Sequence, residues 1–182
     1  MSHEFDPRRL DVKALAKAAG TLSGSDMLSK YERLMVETKQ HGSDRTLEWQ
    51  ARGELLVGAS GFQQIWLRLR ASVALPLICQ RCLEPVDIKV LVDRSFRFVA
   101  TEEQAQAEDE TAEEDVLALQ RDFNLTELVE DELLMALPVV PRHEVCPTEV
   151  KLVAQDPDFE LESAAKPNPF AILAKLQPGK SS

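Results

Sequence analysis

The chain has 182 residues, 44% of them apolar, and a formal net charge of -10. This length and apolar content suffice for one domain with tails, or for two very small domains. Proteins that wrap nucleic acid by neutralising phosphates usually carry the opposite sign, so this acidic balance argues against broad, non-specific RNA or DNA binding. No apolar run approaches the roughly 18 residues of a membrane span. The N-terminal residues do not resemble a secretory signal. The chain has three cysteines, an odd number, which argues against a disulfide framework. We therefore expect a reduced, cytoplasmic protein.

Residues 1–41 are predicted to form a helical segment. Its first helix is expected to begin at Asp6, a good N-cap, with Pro7 in the first turn, and its second covers residues 25–38. Apolar residues recur at helical spacing in both, namely Leu10, Ala14 and Ala18 in the first and Leu28, Tyr31, Leu34 and Met35 in the second. This spacing is typical of amphipathic helices that pack on a core.

Residues 42–145 are predicted to form an antiparallel sheet core, because apolar and polar residues alternate along three segments. The apolar positions are Leu47, Trp49 and Ala51, then Ile65, Leu67, Leu69, Ala71, Val73 and Leu75, then Val86, Ile88, Val90 and Val92, followed by Phe96 and Phe98. Alternation over these lengths is typical of half-buried strands in a meander.

An acidic segment, residues 101–115, follows the predicted strands. It holds eight acidic residues and no basic residue, and we interpret it as a disordered, solvated loop. An edge strand is predicted within residues 116–123. A helix is predicted over residues 125–137, with Asn124 or Thr126 as its N-cap.

The remaining residues, 146–182, are predicted to form an extended tail with a short helix near residues 169–176. The predicted fold class is therefore α+β. It consists of an antiparallel β-meander core with N-terminal helices, one helix after an acidic loop, and a largely irregular C-terminal tail.

Two cysteines, Cys79 and Cys82, have the C-x-x-C spacing of a zinc knuckle and lie where one predicted strand turns into the next. A tetrahedral zinc ion needs two more ligands, and His143 and Cys146 form an H-x-x-C pair that can supply them. The sequence thus predicts a Cys3His zinc site. Two alternatives stay open. The cysteines can be small, partly buried turn residues with His143 on a surface loop, or a redox couple, although the βαβ context of such couples is absent.

A second candidate site is a basic face on the predicted sheet. Arg52, Trp66, Arg68, Arg70 and Arg97 share the polar parity of three successive strands. Arginines around an aromatic side chain can bind RNA by phosphate contacts and base stacking. The alternative is an ordinary solvated sheet face.

No catalytic motif is present in the sequence. It contains no Gly-rich phosphate loop, no G-x-S-x-G and no H-E-x-x-H, so we expect no enzymatic activity. Glu130, Asp131 and Glu132 are consecutive on a predicted helix, point in different directions and are predicted to form a solvated face. The acidic segment can contact a basic partner such as a ribosomal protein, or can be a flexible insertion that keeps the protein soluble.

Three blocks carry a resemblance to a known family: "CQRCLEPV" at Cys79 to Val86, "LTELVEDELLMALPVVPRH" at Leu125 to His143, and "KPNPFAILAKL" at Lys166 to Leu176. Together they resemble the bacterial YceD family, whose members are named large ribosomal RNA subunit accumulation proteins. Some relatives have a second C-x-x-C downstream of the helix, where this sequence has only the H-x-x-C pair.

The resemblance implies a non-catalytic ribosome biogenesis factor that supports synthesis, processing or stability of the large-subunit (23S) ribosomal RNA. The implied partners are the large-subunit RNA precursor or large-subunit ribosomal proteins, with no membrane and no small-molecule substrate. Two alternatives remain: a zinc-dependent RNA-processing enzyme, and a protein-only adaptor that binds a basic large-subunit ribosomal protein.

Overall fold

Three long strands with alternating apolar and polar residues form the centre of a five-stranded sheet: β2 (Thr46–Val57), β3 (Gln63–Ile78) and β4 (Pro85–Val99). The computed structural model describes residues 5–58 and 61–148. The sheet order is β1-β2-β3-β4-β5, with β1 (Thr21–Met27) and β5 (Asp115–Ala118) at the edges. The pairs from β1 to β4 are antiparallel, and β5 runs parallel to β4. The predicted α+β class with an antiparallel meander is confirmed.

One face of the sheet and three helices enclose the core. The helices are α1 (Val12–Lys17), α2 (Glu32–Glu37) and α4 (Leu125–Met135). The core contains the apolar strand residues that the alternating pattern predicted, together with buried apolar residues from each helix. It includes Leu15, Leu34, Leu47, Leu67, Leu69, Leu75, Val90, Phe96 and Leu133. Burial of one face of an alternating strand is the physical reason that the sheet forms in this register.

At Gly53 the backbone of α1 packs closely against β2. A Cβ added at this position would lie 2.7 Å from the backbone nitrogen of Ala16, and the Gly53 amide donates to the Gly20 carbonyl at 3.0 Å. Only a residue without a side chain lets the helix backbone pack this closely on the strand.

The N-terminal prediction is partly wrong. The first helix begins later than predicted, with Asp11 as N-cap accepting from the Ala14 amide at 2.8 Å, and it buries Val12, Leu15 and Ala16. Of the predicted stripe, Leu10 is buried just before the helix, Ala14 is half-buried and Ala18 is exposed. Most of residues 25–38 is not one helix, because β1 ends at Met27 and α2 begins at Glu32, with a 3-10 turn at Leu28–Lys30 between them. The apolar residues predicted for the second helix are nevertheless buried, at Leu28, Tyr31, Leu34 and Met35. Residues 21–27 form a strand although they are mostly polar, because pairing with β2 supplies their backbone hydrogen bonds.

The acidic segment is a second correction, since it contains α3 (Glu102–Asp109) and the start of β5. The Thr101 hydroxyl caps α3 by accepting from the Gln104 amide at 3.3 Å. A small cluster of Val99, Ala105 and Val116 fixes the helix against the sheet. This apolar contact is too small to appear as a sequence pattern.

The elements after the acidic segment agree better with prediction. The expected edge strand is β5. Asn124 caps α4 by accepting from the amides of Thr126 and Glu127 at 3.2 and 3.3 Å. The predicted solvated face of the helix is wrong at Glu130 and Glu132, which are both buried.

Glu130 is buried because its carboxylate accepts from the backbone amides of Arg33 and Leu34 at 2.8 and 3.2 Å. It thereby caps the N-terminus of α2 from another helix. Glu132 lies near the Arg94 guanidinium, at 3.7 Å. Both buried carboxylates therefore have a partner that helical periodicity cannot predict.

The predicted tail over residues 146–182 lies outside the described residues after residue 148, as does the short helix predicted near residues 169–176. The division of the chain at residues 41 and 145 stays a prediction. Across the ranges that the structure covers, no helix combines the length and the apolar character that crossing a membrane requires.

Candidate metal centre and basic sheet face

The first half of the candidate metal centre is the turn that connects β3 to β4. Ile78 and Pro85 are the last pair of the ladder, and the Cys79 amide donates to the Glu84 carbonyl at 2.9 Å. Leu83 has a left-handed backbone conformation with φ of 63°, which non-glycine residues adopt mainly in tight turns. The C-x-x-C therefore lies where one strand turns back into the next, as predicted.

The second half is the irregular segment after α4. The Pro141 carbonyl accepts from the Gln80 amide at 2.8 Å, and the His143 amide points at the Cys79 sulfur at 3.5 Å. These contacts bring the H-x-x-C pair to the turn, although 61 residues separate Cys82 from His143 along the chain.

The four predicted ligands form one cluster. Single donor atoms of Cys79, Cys82, His143 and Cys146 all lie within 4.8 Å of one another. The Cys79 and Cys146 sulfurs are 4.0 Å apart, and the Cys82 sulfur is 3.4 Å from His143 Nδ1. Tetrahedral zinc with bonds of about 2.3 Å to sulfur holds its ligand atoms about 3.8 Å apart. Three thiols and one imidazole gathered at these separations could hold a metal ion.

The environment of Cys79 favours its thiolate. Burial by itself raises the pKa of this thiol. Hydrogen bonds from the backbone of Cys82, His143 and Arg81 outweigh the burial, however, and lower the pKa to about 5. A thiolate is the form that binds a metal. The buried sulfur is therefore prepared as a ligand by the fold itself.

The pKa of Cys82 is raised, first by burial and then by the neighbouring thiols of Cys146 and Cys79. Sulfurs this close oppose one another's ionisation, because each added negative charge repels the next. A divalent cation among them would remove this repulsion. The arrangement can thus bind a metal ion and release protons as it does so.

Arg81 also belongs to the cluster, although no motif singles it out. Its Nε donates to the Cys146 sulfur at 3.0 Å. The one local signal in the sequence is its place between the two cysteines. Its side chain also donates to backbone carbonyls of the segment after α4, and these contacts depend on the fold.

The predicted basic face forms one surface of the sheet, but its arginines are paired with carboxylates. The strand register places Arg52 opposite Arg68 and Trp66 opposite Arg97. Arg52 pairs with Glu54 at 3.0 Å. All five predicted side chains therefore lie on one face of β2, β3 and β4.

Arg68 and Arg70 share one carboxylate partner, Asp93, at 3.2 and 3.1 Å. The hydrogen bond from Arg68, with the charges of both arginines, lowers the pKa of Asp93. All three side chains are about half exposed. Exposed ion pairs contribute little free energy, so a phosphate can compete with Asp93 for both guanidinium groups.

Arg97 is the exception, because α3 covers it. Its guanidinium pairs with Glu108 at 2.5 Å and Glu114 at 2.6 Å, and the residue is only 8% exposed. Trp66, half-buried beside it, donates to Gln64 at 3.3 Å. Burial therefore removes Arg97 from the surface expected to bind RNA, whereas Arg52, Arg68 and Arg70 are exposed. RNA binding by the five residues stays a prediction.

The fold and the cluster define a small α+β protein with a four-donor Cys3His centre at the β3–β4 turn. The family model described as "Large ribosomal RNA subunit accumulation protein YceD" matches residues 67–177. The chain belongs to the YceD family. The matched span begins in β3 and contains all four candidate ligands.

One curated relative is the "Large ribosomal RNA subunit accumulation protein YceD" of Haemophilus influenzae. It is 37% identical over 111 residues, which cover 59% of this chain and 63% of the relative. The match thus spans less than two thirds of the relative's length. No solved structure is significantly similar to the chain.

Proposed function

We propose that this chain is a non-catalytic ribosome biogenesis factor of the bacterial cytoplasm that supports synthesis, processing or stability of the large-subunit (23S) ribosomal RNA. The observation that carries the proposal is the family match over residues 67–177, together with the name of the relative from Haemophilus influenzae. The partners proposed are the large-subunit RNA precursor or large-subunit ribosomal proteins.

The Cys3His cluster is proposed to hold a structural zinc ion. Four protein donors complete a tetrahedral shell, whereas a catalytic zinc keeps one position open for water or substrate. The four donor atoms lie within 4.8 Å of one another, so all four can bind one ion. This donor count favours the structural role over the alternative of a zinc-dependent RNA-processing enzyme.

The experiment that tests the function is depletion of this protein from bacterial cells, with the ratio of large- to small-subunit ribosomal RNA as readout. Wild type and the double variant Cys79→Ser with Cys82→Ser are expressed as rescue. Gln80→Ser is the matched control, because this exposed side chain of the same turn donates only to the Ile78 carbonyl in the described structure.

We expect wild type and Gln80→Ser to restore the ratio and the double variant to fail at equal expression. Restoration by the double variant would show that the cluster is dispensable. An unchanged ratio after depletion would refute the large-subunit role. Turnover of precursor RNA by the zinc-loaded protein would support the enzyme alternative instead.

Direct RNA contact is proposed for Arg52, Arg68 and Arg70. Arg68→Gln with Arg70→Gln should reduce co-sedimentation with pre-ribosomal particles, because two phosphate partners are lost. Asp93→Asn is the opposite variant, since it removes the carboxylate that both arginines contact, and it should increase co-sedimentation. Equal co-sedimentation of all three proteins would refute the contact.

The adaptor alternative is favoured by one observation, the exposed acidic side chains on and after α3, at Glu102, Glu103, Glu110 and Glu113. Their charge suits a basic ribosomal protein. Changing all four to Gln leaves the Glu108 and Glu114 pairs with Arg97 in place, so α3 should stay folded. Undiminished capture of a basic large-subunit protein by this variant would exclude the acidic surface as the binding site.

A further inference from the structure

Arg81 connects the two halves of the candidate metal centre. It lies between Cys79 and Cys82 in the β3–β4 turn, yet its side chain reaches the segment after α4. There its Nη2 donates to the carbonyls of His143 and Glu144 at 2.8 and 3.2 Å. With the bond from Nε to the Cys146 sulfur at 3.0 Å, one guanidinium makes three contacts to the segment that carries the other two ligands.

The guanidinium has the geometry that this task requires. It is planar and presents several donors in a fixed fork, whereas a lysine ammonium is a single point of charge on a flexible stem. Carbonyl oxygens and a sulfur, all acceptors, lie on one side of the Arg81 fork. The contacts therefore fix both the position and the direction of the His143–Cys146 backbone.

Charge gives Arg81 a second effect. Three thiolates and a divalent cation leave a net charge of about -1 at a centre with one neutral imidazole. Arg81 brings a permanent positive charge into direct contact with one of these sulfurs, at Cys146. The thiolate charge is thus balanced by a hydrogen-bonded partner outside the ligand set.

We propose that Arg81 is a positioning residue that assembles the metal centre: it holds His143 and Cys146 over the C-x-x-C turn and then balances the charge of the bound Cys146 thiolate. This inference rests on the metal binding proposed above. Arg81 acts through the ligands and does not itself bind the ion.

Other contacts also join the halves, so loss of Arg81 weakens the centre without abolishing it. Besides the contacts between the ligands themselves, they include the bond from the Gln80 amide to the Pro141 carbonyl at 2.8 Å and the approach of the His143 amide to Cys79 at 3.5 Å. Removing a partner that orients a metal ligand costs about 10- to 100-fold in metal affinity. We expect a loss in this range.

The test is cobalt binding, followed by the visible absorption of tetrahedral Co²⁺ in competition with a chelator. Arg81→Ala should bind Co²⁺ about 10- to 100-fold more weakly than wild type. Arg81→Lys keeps the charge without the fork and should recover only part of the affinity. Arg142→Ala is the control, because it removes the same charge from an exposed residue beside His143, and its affinity should equal that of wild type.

A second readout separates positioning from general destabilisation. In the cobalt-loaded protein, iodoacetamide should alkylate Cys146 of Arg81→Ala faster than Cys146 of wild type. The reason is that the N–H···S bond, which shields this sulfur in wild type, is absent from the variant. Alkylation of Cys79 should change less. Equal affinity and equal Cys146 alkylation in Arg81→Ala and wild type would overturn the role of Arg81 alone. A wild type that takes up no cobalt would overturn both the metal centre and this role.

Discussion

Removal of zinc should destabilise the whole domain, and the size of the effect follows from the distance between the two half-sites along the chain. Cys82 and His143 are 61 residues apart in sequence but adjacent in the fold. To use all four ligands, an unfolded chain must close a loop of this length, which costs about 4 kcal/mol at 25 °C in the chain-entropy model. Since about 1.4 kcal/mol corresponds to a factor of ten, the unfolded chain should bind zinc about a thousand-fold more weakly than the native protein.

The stabilisation by zinc should therefore rise with the free zinc concentration and reach a plateau at about 4 kcal/mol, once the unfolded chain also binds zinc. For a chain of this size, that corresponds to a rise in Tm of about 8–16 °C. The assay is urea and thermal unfolding with buffered zinc or with EDTA. Cys79→Ser with Cys82→Ser is the control and should show no zinc dependence. Identical unfolding of the wild type with zinc and with EDTA, or equal stabilisation of the double variant, would refute the reasoning.

Three further predictions concern the packing of the helices on the sheet and on one another. Gly53→Ala should cost about 1–3 kcal/mol in urea unfolding, because its Cβ would press on the Ala16 backbone at 2.7 Å; unchanged stability would show that α1 can shift freely. Glu130→Ala should cost about 2 kcal/mol by leaving two α2 amides without their acceptor, whereas Glu130→Gln, which keeps an acceptor oxygen, should cost less. Glu132→Gln should stabilise the protein at pH 7, because burial raises the pKa of Glu132 above its ordinary value of 4.5, so its ionisation costs stability as pH rises above that value. That gain should disappear below about pH 4 in a series of unfolding curves, and a gain independent of pH would contradict the assignment.

The strands could be predicted because their signal is local. Leu47, Ala51 and Leu69 alternate with polar residues, and alternation requires only that one face of a strand be buried. All three are fully buried in the structure. The Asn124 cap was predictable for the same reason, since a capping side chain contacts amides only two or three residues away.

The N-terminal segment shows where local signals fail. Residues 21–27 are mostly small and polar, and nothing in their spacing predicts a strand. They become β1 because the edge of β2 offers a row of hydrogen-bonding groups. The acidic segment is similar, since α3 is held by a small apolar cluster and by the ion pairs of Glu108 and Glu114 with Arg97.

The basic face shows that alternation along a strand predicts which side chains share a surface, but not which of them are covered or paired. Parity predicted that Arg68, Arg70 and Arg97 share a surface, because side chains alternate along every strand. It could not predict that α3 would cover Arg97, or that Asp93 would lie between the other two. Those outcomes depend on which elements pack together, and a strand's own sequence does not contain that information.

The sequence by itself determined the ligand types of the candidate metal centre, the antiparallel strands and the α4 helix, because each depends on spacing within a few residues. Only the tertiary structure decided that Cys79 and Cys82 meet His143 and Cys146. It also decided that Arg81 would hold the second pair in place. The physical reason is that these contacts join residues about sixty positions apart, and only the packing of α4 on β3 and β4, with the segment that follows it, brings such distant residues together.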